Sequence, residues 1–295
     1  MKSLNEELKN KIVIIDGATG TMLQAQNLFT DILSIESPNS VAHLHENYIK
    51  AGAQIIKTNT FNSNLISLKN SPYKNQIEVL NIQSIQIAKD MAQKHDQPKN
   101  PIFVAGVIGP TPISLSKYPI ELTDFKKAIF QQVEIFNEKK IDLFLIETVY
   151  DLKNLTTTLE IIRQISNIPI MVSLTVNKEC THINTGESLR EIINELQKYK
   201  IFSMGINCSF GPDHLEKTLD FLHQNLNIPL SLHPNAGLPD FNGKYSYSPE
   251  IFAEKIEKYL KLGFINMIGG CCGTTPLHIK KLHELSKKYH PRKLT

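Results

Sequence analysis

Residues 141–148 read IDLFLIET, a run of apolar side chains that ends in a carboxylate. A strand with one face in water alternates apolar and polar residues. A nearly continuous apolar run therefore implies burial on both faces, as in a parallel strand covered by helices. Seven more such runs occur: KIVIIDG from Lys11, AQIIKTN from Ala53, PIFVAGVIG from Pro101, IPIMVSLTV from Ile168, FSMGINC from Phe202, IPLSLHPN from Ile228 and FINMIGG from Phe264. Between them SVAHLHENYIKAG, IEVLNIQSIQIAKDMAQK, TDFKKAIFQQVEIFNEKK, LTTTLEIIRQISN, SLREIINELQKYK, DHLEKTLDFLHQNL and SPEIFAEKIEKYLKLG carry apolar residues at three- and four-residue spacing, the mark of amphipathic helices. Ser248 before Pro249 suits an N-cap followed by proline in the first turn, Gly263 suits a helix stop, and a final helix follows Thr275-Pro276. This alternation predicts an α/β chain folded as a (β/α)8 TIM barrel, with residues 1–295 forming one domain. An open doubly wound sheet shares the alternation and is the competing architecture.

Composition narrows the function. The chain has 32 Lys and Arg against 29 Asp and Glu, a net charge of +3 that argues for neither a nucleic-acid nor a membrane partner. The start MKSLNEELKNKIVII lacks an apolar signal core, and no run approaches the roughly 18 apolar residues of a membrane span, so the expectation is a soluble, cytoplasmic protein. The end KLHELSKKYHPRKLT reads as a solvated helix face with a frayed tail. There are four cysteines, Cys180, Cys208, Cys271 and Cys272. The adjacent pair would form only a strained disulfide, and a large chain without a leader should stay reduced, which points to metal binding or catalysis. Cys180, alone in NKECTHINTG, reads as a thiol without a role.

The unusual residues fall at strand ends. Asp16 ends the first run, Asn59 follows the second, Gly109 the third, Glu147 ends the fourth, Asn207 and Cys208 the sixth, Asn235 follows the seventh and Cys271-Cys272 the eighth. In a barrel all of them share the C-terminal rim, where barrel enzymes keep their active sites. Three thiolates there would repel one another unless a cation sat among them, and Zn2+ favours sulfur and leaves a fourth position open. Gly269, Gly270 and Gly273 would allow the positive φ values that let both neighbouring cysteines reach one ion. Two buried structural thiols are the alternative.

Glu147 either receives a substrate ammonium or pairs internally with a lysine such as Lys57, and Asp16 carries the same ambiguity. The loop IIDGATGT lacks the spacing and the lysine of a nucleotide cradle, though its amides could hold a small carboxylate. His43, His45, His95, His278 and His283 read as surface residues, whereas His182 and His233 lie nearer the rim. The stretch LPDFNGKYSYS after the seventh strand is placed to act as a lid.

IIDGATGTML, TNTF, GVIGPT, LFLIETVYD, GINCS, PNAGLP and GGCCGTTP follow one another as in the homocysteine S-methyltransferase family, which the chain resembles from about Lys11 to Tyr289. The segment HPNAGLPDFNGKYSYSPE is most similar to the cobalamin-dependent methionine synthase branch. The resemblance implies a zinc ion on Cys208, Cys271 and Cys272, with the homocysteine sulfur as fourth ligand. It implies that Glu147 binds the substrate ammonium, that Asp16, Gly17, Ala18 and Thr19 meet its amino-acid end, and that Asn235 fills the open zinc position without substrate. Asn207 and Thr58-Asn59 would support the rim and substrate. The implied partners are L-homocysteine and a methyl donor. That donor is either a small sulfonium or betaine, or methylcobalamin on a separate corrinoid or folate-binding protein. A zinc-binding barrel that holds a thiol without methylating it is a third reading.

Overall fold

The computed structural model describes residues 3–24, 29–98, 100–118, 121–177, 179 and 181–294, so Cys180 lies outside the described residues. The strands are β1 (Val13–Ile14), β2 (Ile55–Lys57), β3 (Phe103–Ile108), β4 (Leu143–Val149), β5 (Ile170–Leu174), β6 (Ser203–Cys208), β7 (Leu230–Pro234) and β8 (Met267–Ile268). Seven lie within their apolar runs, and β4 extends one residue beyond its run, to Val149. They form one sheet in the order β1-β8-β7-β6-β5-β4-β3-β2, every pairing parallel. A parallel bridge between Ile15 and Ile55 joins the two ends, with Asp16 N–H donating to Ile55 O at 2.9 Å, so the sheet closes into a (β/α)8 barrel. The open-sheet alternative is excluded.

Among the described residues the helices are α1 (Leu4–Asn10), α2 (Gly20–Leu23), α3 (Leu33–Glu36), α4 (Pro38–Lys50), α5 (Ile77–His95), α6 (Leu122–Glu138), α7 (Leu152–Ile165), α8 (Leu189–Leu196), α9 (Glu216–Asn225), α10 (Pro249–Lys261) and α11 (Pro276–Ser286). Ser248 caps α10 by accepting from Ile251 N–H, and Gly263 adopts φ 69° just beyond the helix, as their chemistry suggests. Among the described residues no helix is long and apolar enough to cross a membrane.

Two apolar clusters alternate along the strands. Ile14, Ile56, Val104 and Phe144 pack outward against the helices, whereas Val13, Ile15, Ile55, Phe103, Leu143 and Leu145 fill the barrel. Leu4 and Leu8 of α1 join the inner cluster, so α1 plugs the N-terminal mouth. As far as Arg292 the C-terminal stretch is not frayed. Arg292 is buried and donates to the carbonyls of His223, Leu226 and Ile228, while Tyr289 Oη donates to Glu257. The guanidinium's five donors suit the carbonyls at the end of α9 and in the connection to β7, a tertiary match that local charge does not reveal.

Candidate metal and substrate site

Cys208 ends β6, Cys271 and Cys272 follow β8, and their three sulfur atoms lie within 4.8 Å of one another at the C-terminal face. Cys208 Sγ and Cys271 Sγ approach to 2.7 Å. Cys208 and Ser209 adopt φ values of 50° and 57°, a left-handed turn that costs an L-residue about 1 kcal/mol each and swings Cys208 out of strand alternation. The segment after β7 ties both cysteine stretches together: Asn235 N–H donates to Cys208 O (3.4 Å), Cys271 N–H to Pro234 O (2.8 Å) and Ala236 N–H to Cys272 O (2.9 Å).

The glycines work differently from expectation. Gly273 has φ 79°, but Gly269 and Gly270 do not take positive φ and serve close approach instead. A Cβ on Gly270 would lie 2.4 Å from Thr274 Oγ1, the hydroxyl that binds Ala18 N–H and Cys271 O.

Without a cation the thiols cannot ionise together. Hydrogen bonds from Cys208 and Cys271 hold the Cys272 thiol down at about 3, while hydrogen bonding with Cys271 and Cys272 pushes Cys208 well above its usual range. Asn235 Nδ2 donates to Ser209 O (3.2 Å), but its Oδ1 is buried and, among the described residues, has no hydrogen-bond partner. Three convergent sulfurs fit a zinc ion with three thiolates and one exchangeable position, and the bare amide oxygen belongs to Asn235, whose backbone N–H bonds Cys208 O.

Facing the sulfurs is a buried charge cluster. Glu147 and Thr148 occupy a register shift in β4 between Ile146 and Val149, and Thr148 has φ 62°, so an irregular strand end aims the carboxylate. Glu147 Oε1 accepts from Lys57 Nζ at 3.1 Å and lies 3.4 Å from His233 Nδ1. Lys57 Nζ is 3.6 Å from Asp16 Oδ1, and Asp16 Oδ2 accepts the Lys57 backbone N–H at 2.8 Å. Burial opposes the Glu147 charge, yet Lys57 and His233 outweigh it and hold its carboxyl at about 2. Burial dominates at Asp16 and lifts it to about 7 against the pull of Lys57. Burial also disfavours the Lys57 charge, but Glu147 and Asp16 overcome this and raise its pKa. Of the two sequence alternatives for Glu147, the internal pair with Lys57 is formed.

Asn207 joins the two halves. Its Oδ1 accepts from Thr148 N–H (3.0 Å) and Ser173 Oγ (2.8 Å), and its Nδ2 donates to Thr148 Oγ1 (2.7 Å) and faces Cys271 Sγ at 3.9 Å. Sulfurs and charges border one cavity of about 280 Å3, lined also by Ala18, Thr19, Thr58, Asn59, Phe61 and Thr148. Asn59 Nδ2 is engaged by Thr30 O (2.8 Å) and Ser34 Oγ (3.2 Å), so its amide braces the wall. Gly17 lies against Tyr48, where a Cβ would meet Tyr48 Oη at 2.7 Å.

Other expectations are redistributed. His182 pairs with Thr181 outside this cavity, whereas His233 is fully buried beside Glu147. His45 and His278 are buried and not on the surface. His45 continues the stripe Val41, Leu44, Tyr48 and Ile49 at helical spacing, a signal that could have found it. In the loop after β7, Phe241 is 98% exposed at the tip, while Tyr245 lies over Gly273 and helps hold the Cys272 thiol down. Tyr245 and Thr274 escaped the sequence reading, because their roles depend on loops that meet only in the fold.

The site thus belongs to the class of parallel-barrel proteins with a cysteine cluster at the C-terminal mouth. The family model for homocysteine S-methyltransferase matches residues 13–286, and the chain belongs to that family. The metallated form of the homocysteine methyltransferase MmuM from Escherichia coli is similar in fold, with a TM-score of 0.78 at 22% identity over 94% of this chain and 96% of that one. The apo form gives a TM-score of 0.76 at 24% identity, covering 96% and 98%. The (S)-3-O-geranylgeranylglyceryl phosphate synthase from Thermoplasma acidophilum shares the barrel more distantly, with a TM-score of 0.52 at 12% identity, covering 98% and 100%.

Proposed function

We propose that the protein transfers a methyl group to the sulfur of L-homocysteine, giving L-methionine, with zinc held by Cys208, Cys271 and Cys272. The observation that carries this reading is the convergence of three sulfurs from β6 and β8 on the cavity that also holds Lys57 and Glu147. Membership of the homocysteine S-methyltransferase family and the metallated form of the E. coli relative support it. A free thiol is only a few per cent ionised at neutral pH, and zinc supplies the charge that lets the sulfur lose its proton there.

The chain's own residues do the rest. Glu147 and Asp16 offer negative charge to the amino group, the loop Asp16–Thr19 walls the amino-acid end, and Asn207 holds Thr148 and Cys271 in register. Asn235 Oδ1, a weak neutral donor, would be the atom to hold the fourth position when no substrate sulfur is there. The methylated product is a neutral thioether, whose sulfur would be a poor ligand for such a site. Reduced thiols at the centre suit a reducing compartment, the cytoplasm.

The test is metal analysis of the purified protein with a methionine-formation assay, offering S-methylmethionine, betaine and methylcobalamin in parallel. Turnover with either of the first two assigns a small-molecule donor. Turnover with methylcobalamin alone assigns the second reading, a homocysteine-activating subunit served by separate corrinoid or folate proteins. The likeness of residues 233–250 to the methionine synthase branch favours that reading. Tight homocysteine binding with no turnover from any donor would leave a non-catalytic thiol-binding barrel.

A further inference from the structure

We propose that Lys57 selects the substrate by its carboxylate: the buried ammonium, held in place by Glu147 and Asp16, donates to the carboxylate of the amino-acid thiol. This deepens the homocysteine reading and rests on it.

A lysine is rarely buried, and a purely structural one is expected to satisfy its three N–H donors. The Lys57 side chain is only 6% exposed, yet among the described residues its Nζ makes one hydrogen bond, to Glu147 Oε1 at 3.1 Å. Asp16 Oδ1 forms an ion pair with it at 3.6 Å, beyond hydrogen-bond reach, and among the described residues has no hydrogen-bond partner of its own. Glu147 thus holds the charge, with Asp16 close by, while donors remain unused, an arrangement that would be costly in a closed core and is suited to a ligand.

The direction of the side chain fits. Ile55 packs inside the barrel, so Lys57, two residues on, points to the same interior and lines the cavity shared with the three sulfurs.

The competing carboxylate site is the glycine loop, and part of it is already committed. Ala18 N–H donates to Thr274 Oγ1 at 3.0 Å, and Asp16 N–H donates to Ile55 O at 2.9 Å. The amides that remain are neutral, whereas a charge-assisted contact from an ammonium in a secluded site is about twice as strong. One ammonium flanked by two carboxylates also complements a zwitterion, drawing its carboxylate to Lys57 and its amino group to the acidic side.

Calorimetric titration of the zinc-loaded full chain tests this with three thiols: L-homocysteine, aminopropanethiol, which lacks the carboxylate, and mercaptobutanoate, which lacks the ammonium. The wild type should bind aminopropanethiol about 30-fold more weakly than homocysteine. In Lys57→Gln, with zinc content unchanged, homocysteine and mercaptobutanoate should each weaken about 30-fold, while aminopropanethiol stays within about threefold. Lys57→Arg should keep much of the preference for a carboxylate.

An unchanged homocysteine-to-aminopropanethiol ratio in Lys57→Gln would overturn the proposal, as would tighter homocysteine binding, which would make Lys57 a competitor for Glu147. If Lys57→Gln does not fold, the wild type still decides, since equal affinity for homocysteine and aminopropanethiol rules the proposal out. Failure of the underlying function looks different, because then none of the three thiols binds the zinc-loaded wild type.

Discussion

Two buried cations sit at opposite mouths of the barrel, and they are held in opposite ways. At the N-terminal mouth Arg292 is surrounded by neutral acceptors: Nη2 donates to His223 O at 2.9 Å, Nε to His223 Nδ1 at 3.0 Å, and further donors reach Ile228 O and Leu226 O. Its own carbonyl accepts from Asn266 Nδ2 at 2.9 Å. At the C-terminal mouth Lys57 has two carboxyl groups and, among the described residues, a single side-chain hydrogen bond, and it borders orphaned polar atoms and strained backbone. A saturated cation closes the fold, whereas an unsaturated one implies a ligand. The barrel therefore divides its work, with stability at the mouth where strands begin and chemistry at the mouth where they end.

The sharpest way to break this division is Cys271→Ser. Loss of one soft ligand should abolish zinc retention and lower turnover at least about 1,000-fold, with the metal-free melting temperature nearly unchanged. Full activity in that variant after metal removal would end the functional half of the comparison. Next comes Arg292→Met, which leaves several carbonyls unpaired and should cost about 3 kcal/mol of stability by denaturant titration. Zinc content and turnover per folded molecule should not change; a selective loss of turnover would erase the distinction between the two mouths.

Asn207→Ala should lower kcat/KM about 30-fold with zinc retained, because Thr148 and the Cys271 sulfur lose their common anchor. His45 gives the smallest effect and belongs to neither mouth. Burial holds its ring down at about 4, below the ordinary 6.5, so the folded protein keeps it neutral. Its contribution is intact above pH 6.5 and is lost as the pH falls from 6.5 towards 4, because the unfolded chain takes up the proton first. His45→Phe should remove about 2 kcal/mol of that acid destabilisation at pH 5, read as a flatter dependence of melting temperature on pH.

The barrel was legible because its signals are local and repeated. Runs such as IDLFLIET carry burial on both faces, and the amphipathic stretches carry helical spacing. The short helix α1, with seven residues, has too few turns for a period to emerge, and the four-residue α2 and α3 have fewer still. The ends of the strands also located the thiols and the carboxylates.

The way the site is assembled was not legible. Cys208 and Ser209 take left-handed backbone without being glycines, a conformation imposed by contacts with residues 234–236 and invisible in GINCS. Lys57 could be named as a partner for Glu147, but its unused donors appear only once both carboxylates have coordinates. Arg292 looked like tail charge because its acceptors come from segments more than sixty residues away.

Zinc K-edge X-ray absorption of the purified protein, recorded before and after addition of L-homocysteine, addresses the central claim most directly. The expected result is a metal shell of three sulfurs and one lighter atom that becomes four sulfurs when the substrate binds. A shell with fewer than three protein sulfurs, or one that homocysteine leaves unaltered, would contradict it.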